Sequence, residues 1–139
     1  MGKRRTSRRL AMQALYQAET AGMGIEEALR NVFSTEEFIL ETTEYAESLA
    51  REAWENREAL DKKISELSID WPLERIGKVD HSILRLAIQE LDSGDTPVSV
   101  VIDEAVELAK KYSSEEAAKF INGILGTYLR KQSPHGKIT

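Results

Sequence analysis

Apolar residues recur every three or four positions in nearly every window of this chain, and no strand-like alternation persists anywhere. That pattern leaves few options. The elements are amphipathic helices, and their apolar stripes must be buried on one another. The spacing predicts an all-α fold of seven or eight helices, with no internal repeat and one domain over residues 1–139. At that length, with 41% apolar residues, a single sizeable core is feasible.

The boundaries follow from local chemistry. Thr6 or Ser7 can cap a first helix carrying Leu10, Ala11, Ala14, Leu15 and Ala18 inward, and Gly22 and Gly24 end it. Ile25, Ala28, Leu29 and Val32 share one side of a short second helix. Ser34 and Glu37 read as a capping box for a long helix with Phe38, Tyr45, Leu49 and Trp54. Leu60, Ile64 and Leu67 mark a fourth. Pro72 opens a short turn that Gly77 ends, and Asp80 or Ser82 can cap "SILRLAIQEL". The β-branched run Val98–Ile102 could be a strand, but Ile102, Ala105, Val106 and Ala109 favour a helix beginning near Pro97. "SSEE" caps the last helix. Asn122-Gly123 is a hairpin dipeptide in other settings. Here the helical spacing runs through it, and Gly123 is expected to admit a close backbone. Residues 132–139 read as a tail.

Charge is the second informative feature. Lys3, Arg4, Arg5, Arg8 and Arg9 give residues 1–9 a charge of +5, whereas the rest of the chain totals −10. A general nucleic-acid coat would be basic throughout; this is an acidic body with one polyanion handle. Arginine dominates the block, and its fork matches phosphate oxygens bidentately. Cations at a helix N-terminus also oppose the macrodipole at about 0.3–1 kcal/mol, which selection for stability alone would avoid. Tyr16, two turns beyond Arg9, could stack a base of a single strand. It could equally be a core residue with its hydroxyl outward, and the block could be a solubilising arm.

Other chemistry is sparse. There is no cysteine, so disulfides, thiolate metal sites and a Cys nucleophile are excluded, and a cytoplasmic home is expected. No apolar run is long enough to span a membrane. His81 and His135 are too far apart in sequence to suggest a metal site, and His81 reads as a solvated residue beside a cap. No phosphate-loop, dinucleotide or zincin motif occurs, and no cofactor or metal is expected. Asp103, Glu104 and Glu107 read as solvated charges. Arg85, between Leu84 and Leu86, has its stem along the core and either its head in water or a carboxylate such as Glu104 as partner.

Three stretches then stand out together: "RRTSRRLAMQALYQ", "RIGKVDHSILRLAIQEL" and "TPVSVVIDEAVELAKKYSSEEAAKFINGILG". In this order they resemble the NusB family of bacterial transcription antitermination factors. The resemblance implies seven helices in two three-helix bundles and no enzymatic activity. It implies binding of boxA-type RNA jointly with NusE, the small-subunit ribosomal protein that also acts in transcription. Read-through by RNA polymerase in an antitermination complex, notably in ribosomal RNA operons, would follow. The implied RNA surface comprises Lys3, Arg4, Arg5, Arg8, Arg9, Tyr16, Glu116, Lys119 and Phe120, the last as a stacking ring or a core residue. Glu74 and Asp80 would face NusE, and a homodimer through that face is conceivable. Two other readings remain: a small helical enzyme, since the same fold forms the N-terminal part of certain ribosomal RNA cytosine methyltransferases, or a module that binds only proteins.

Overall fold

A computed structural model describes residues 2–132, and within them every regular element is helical. The elements are α1 (Gly2–Ala21), α2 (Ile25–Phe33), α3 (Leu40–Glu55), α4 (Arg57–Leu67), α5 (Lys78–Ser93), α6 (Val98–Tyr112) and α7 (Glu115–Gln132), with a 3-10 turn at Leu73–Arg75. The expected all-α architecture is the one observed. His135 and most of the tail lie outside the described residues.

Two three-helix groups, α1–α3 and α5–α7, meet where α1 and α3 pack on α5, and α4 closes against α5 and α7. The sequence of α5 explains its central place. Every residue from His81 to Ile88 is buried, so this helix is covered all round rather than along one stripe. Leu10 and Leu15 of α1, Ile83, Leu84 and Ile88 of α5, and Ile121 and Leu125 of α7 are among its fully enclosed side chains. Truncating one such Leu or Ile to Ala costs about 2–5 kcal/mol, depending on how far the gap collapses. Gly94 ends α5 in the left-handed region at φ 73°, a conformation that disfavours any Cβ.

Several boundaries differ from expectation, each for a local reason. Helix α1 begins before Thr6 and Ser7. Ser7 is fully buried, and its hydroxyl bonds the carbonyls of Lys3 (2.9 Å) and Thr42 (2.7 Å), stitching α1 to α3. The first turn of α1 holds no acid of its own. Glutamates from α3 and α6 supply the negative charge that this end lacks. Ser34 caps the C-terminus of α2 instead of starting α3: its backbone N–H reaches the Arg30 and Asn31 carbonyls, and its hydroxyl donates to Asn31. Helix α3 therefore starts at Leu40, after Ile39 and without a side-chain cap.

Gly77 precedes α5 as its N-cap residue, and Asp80 and Ser82 lie inside the helix. The last helix does begin as read, with Ser114 Oγ accepting from the Ala117 N–H at 3.0 Å. Asn122-Gly123 is helical, but no backbone approaches Gly123; a Cβ there would meet nothing within 4 Å.

Candidate nucleic-acid interface

The basic block forms the first turns of α1, and the fold sorts its five cations by direction. Arg8 turns inward. Its Nε and Nη2 donate to Glu90 of α5 at 2.7–3.1 Å, with the two side chains only 6% and 2% exposed. Tyr45 of α3 donates its hydroxyl to Glu90 Oε2 at 2.5 Å, and Thr96 donates to the same oxygen at 3.1 Å. Burial works to raise the pKa of Glu90. The hydrogen bonds from Arg8 and Tyr45 outweigh it and hold the carboxyl below its ordinary range. An ion pair this enclosed and this fully bonded is a structural post. Arg8, expected on the RNA surface, is removed from it because its fork is spent on Glu90.

The other cations stay outside. Arg5 makes a bidentate bond to Glu104 of α6 (2.9 and 3.1 Å), Lys3 bonds Glu41 at 3.0 Å, and Arg9 lies 3.8 Å from Glu36. Arg4 has no carboxylate partner among the described residues; its guanidinium lies 3.7 Å over the Tyr45 ring. At 3.6 residues per turn, Arg5, Arg9 and Tyr16 fall within about 40° of one another around α1, and Tyr16 is exposed.

Three concavities adjoin this end of the molecule. Arg5, Arg9, Glu104, Glu107, Lys111 and Tyr112 border one between α1 and α6. A second, along α6 and α7, brings Arg5 together with Lys110, Lys119 and Asn122, interleaved with Asp103, Glu104, Glu107 and Glu115. Arg4 and Tyr45 border the third, beside Thr96 and Pro97. Arg5 lines both of the first two, so the structure gathers Arg5, Arg9 and Lys119, which the sequence separates by up to 114 positions. Glu116 is exposed in the first turn of α7. Phe120 is half-buried against the core and borders none of the three.

Sequence reasoning missed Lys110, Lys111 and Tyr112. Their signal was present in "AKKYSS", two lysines and an aromatic ring closing a helix, but only the fold brings Lys111 and Tyr112 beside Arg9 and Lys110 beside Arg5. Glu104, read as a solvated charge, is only 14% exposed at its side chain and is the partner of Arg5, not of Arg85.

The two residues assigned to a protein partner border none of these concavities. Glu74 is exposed on the 3-10 turn. Asp80 is half-buried near the start of α5, its Oδ1 without a hydrogen-bond partner. Burial pushes its carboxyl up, with Ser113 opposing. Ten helical residues, about 15 Å, separate Asp80 from Glu90.

Between them sits a second buried node. Arg85 donates to Asp61 of α4 (2.7 and 2.9 Å) and to Glu19 of α1 (2.7 Å). His81 Nε2 lies 2.6 Å from Asp61 Oδ1. His81 is therefore a buried residue facing an acid, not the solvated one expected, because α4 lays Asp61 across this face of α5. Burial alone would raise the Asp61 pKa. The bonds from Arg85 and His81 prevail and hold it at about 2.

A family model described as "NusB family" matches residues 5–130. The chain belongs to the NusB family. It is 46% identical over 127 residues to the transcription antitermination protein NusB of Anaeromyxobacter dehalogenans (strain 2CP-1), covering 90% of this chain and 89% of that one. To the NusB of Bacillus subtilis (strain 168) it is 40% identical over 124 residues, 88% and 92% of the two chains. The solved T. maritima NusB superposes with a TM-score of 0.84 at 36% identity, covering 95% of this chain and 94% of that one.

A crystal structure of the antitermination factors NusB and NusE with double-stranded RNA contains a chain matching at TM-score 0.84 and 29% identity, over 91% and 96% of the two chains. The NusB family consists of transcription antitermination factors rather than enzymes. No helix among the described residues is long and apolar enough to cross a membrane.

Proposed function

We propose that this chain acts as an adaptor in transcription antitermination. It binds boxA-type single-stranded RNA together with NusE and helps RNA polymerase read through terminators, notably in ribosomal RNA operons. One observation carries the reading: Arg5 and Lys119, from opposite ends of the sequence, line one groove, and Arg5 and Arg9 line the next. Phosphates of an extended strand would track these cations, while Tyr16 and Tyr112 offer rings for bases. Base stacking by Phe120 would require its ring to leave the core edge.

Glu74 and Asp80, on the acidic remainder of the molecule, are assigned to NusE. A basic ribosomal protein and a polyanionic strand call for faces of opposite charge, which also steers their encounter. RNA binding in the NusB–NusE complex with RNA supports the assignment of both ligand classes. A homodimer would use the NusE face and compete with it.

Titration of labelled boxA and scrambled single strands, with and without NusE, tests the scheme. Tighter binding of boxA, strengthened by NusE, is the expected outcome. Unchanged boxA affinity after deletion of residues 1–9 would instead favour a module that binds only proteins.

A further inference from the structure

We propose that Tyr45 is a positioning residue that presents Arg4 to an RNA phosphate. The proposal rests on the reading of this end of α1 as an RNA surface.

The five cations differ in how their donors are occupied. Lys3, Arg5, Arg8 and Arg9 each have a carboxylate partner. Arg4 instead has an aromatic partner, its guanidinium carbon 3.7 Å from the centroid of the Tyr45 ring. Stacking uses the π-face of a guanidinium and leaves its in-plane N–H donors pointing outward, ready for a bidentate phosphate. A carboxylate partner would occupy those same donors.

The ring itself is fixed from below. Its hydroxyl donates to Glu90, which Arg8 and Thr96 also bond. A ring anchored to a buried ion pair cannot swing, so Arg4 is pre-organised and loses less freedom when it binds. The adjoining cleft, bordered by Asp95, Thr96, Pro97 and the exposed Val100, leaves room for the strand to approach. Nothing in the sequence marks this role. Arg4 and Tyr45 are forty-one positions apart, on helices that meet only in the folded bundle.

The test uses the full chain, saturating NusE and a labelled boxA-type single strand. Arg4→Ala is expected to weaken RNA binding about five- to tenfold, as loss of one positioned phosphate contact would. Tyr45→Leu should cost a similar factor, and the two losses should not multiply in the double variant. In Tyr45→Leu the log–log salt slope should flatten by about 0.7, one phosphate, with NusE affinity unchanged, a pattern that general loosening of the fold would not produce. Tyr45→Phe keeps the ring but loses the bond to Glu90 that fixes it, so its loss should fall between wild type and Tyr45→Leu.

Multiplying losses, or a Tyr45→Leu chain that binds RNA normally while Arg4→Ala does not, would overturn the positioning role and leave the RNA surface standing. If Arg4→Ala also binds normally, Arg4 touches no phosphate and both ideas fail at this end of α1. Should Tyr45→Leu not fold, Arg4→Lys decides. It keeps the charge but stacks poorly, so a severalfold loss is expected, and parity with wild type would refute the proposal.

Discussion

Arg5 and Arg8 lie one turn apart on the same helix, and each grips a glutamate with two nitrogens. Their surroundings differ. Arg8 and Glu90 are 6% and 2% exposed at their side chains; Arg5 is 56% exposed, over a Glu104 that is 14% exposed. In water an ion pair gains little beyond what hydration already supplies, and an incoming phosphate can take the carboxylate's place. In the core neither partner can leave without stranding the other's charge. Identical chemistry thus leaves one guanidinium open to solvent on one face of α1 and makes a structural post on the next. The difference is burial, and burial is set by the helices that arrive opposite.

The largest effect should come from breaking the post. Arg8→Ala is expected to destabilise the fold by about 3–5 kcal/mol, because Glu90 is left buried and unpaired. Chemical denaturation would measure it. Replacing both partners, Arg8→Met with Glu90→Leu, should recover part of that stability, since the Tyr45 and Thr96 hydroxyls lose their acceptor, and should weaken RNA binding no more than Tyr45→Leu does. A well-folded double variant that bound RNA far more weakly than Tyr45→Leu would mean that Arg8 does contact RNA, and the contrast with Arg5 would dissolve.

Next in size is the acid limb of the stability curve. Asp61 holds its proton to an ordinary value near 3.8 when unfolded and to about 2 when folded. The folded state therefore favours the ionised form. This stabilisation is complete above pH ~4 and is lost as the pH falls through about 2, amounting to at most about 2 kcal/mol. Glu19 and Glu90 are also held low and add to the slope in the same direction. Asp61→Asn should flatten that limb in a series of denaturation curves; an unchanged slope would show that the Arg85 node does not hold Asp61 ionised.

The smallest structural effect belongs to the exposed partner. Arg5→Ala should lower the melting temperature far less than Arg8→Ala, since Glu104 keeps some access to water, and leave NusE affinity unchanged while weakening boxA binding severalfold. With Arg4, Arg5, Arg9 and Lys119 as the phosphate contacts, the log–log salt slope should be roughly −3 by the single-strand rule of about −0.7 each. Equal losses for RNA and NusE would merge the two faces into one.

How much of this could be read from the chain depends on range. Helix content and the inward stripes of α5 and α7 were legible, since side chains three and four apart share a face whatever the partner. So was the Ser114 cap, which needs only its next three residues. The caps at Ser7 and Ser34 were misread because each hydroxyl had a rival carbonyl: one on α3, one at the end of α2. His81 and Arg85 were misplaced for the same reason on a larger scale. Asp61 and Glu19 reach them from helices twenty to sixty-six residues away.

The linear order of residues was enough to determine an all-helical chain with a cationic start on an acidic body, because helical period and net charge are local or additive quantities. Tertiary structure alone decided which of those cations face water. Whether a guanidinium can be offered to a ligand depends on desolvation and on the carboxylate or ring packed against it. Those neighbours come from α3, α5 and α6, which no spacing within the first nine residues can specify.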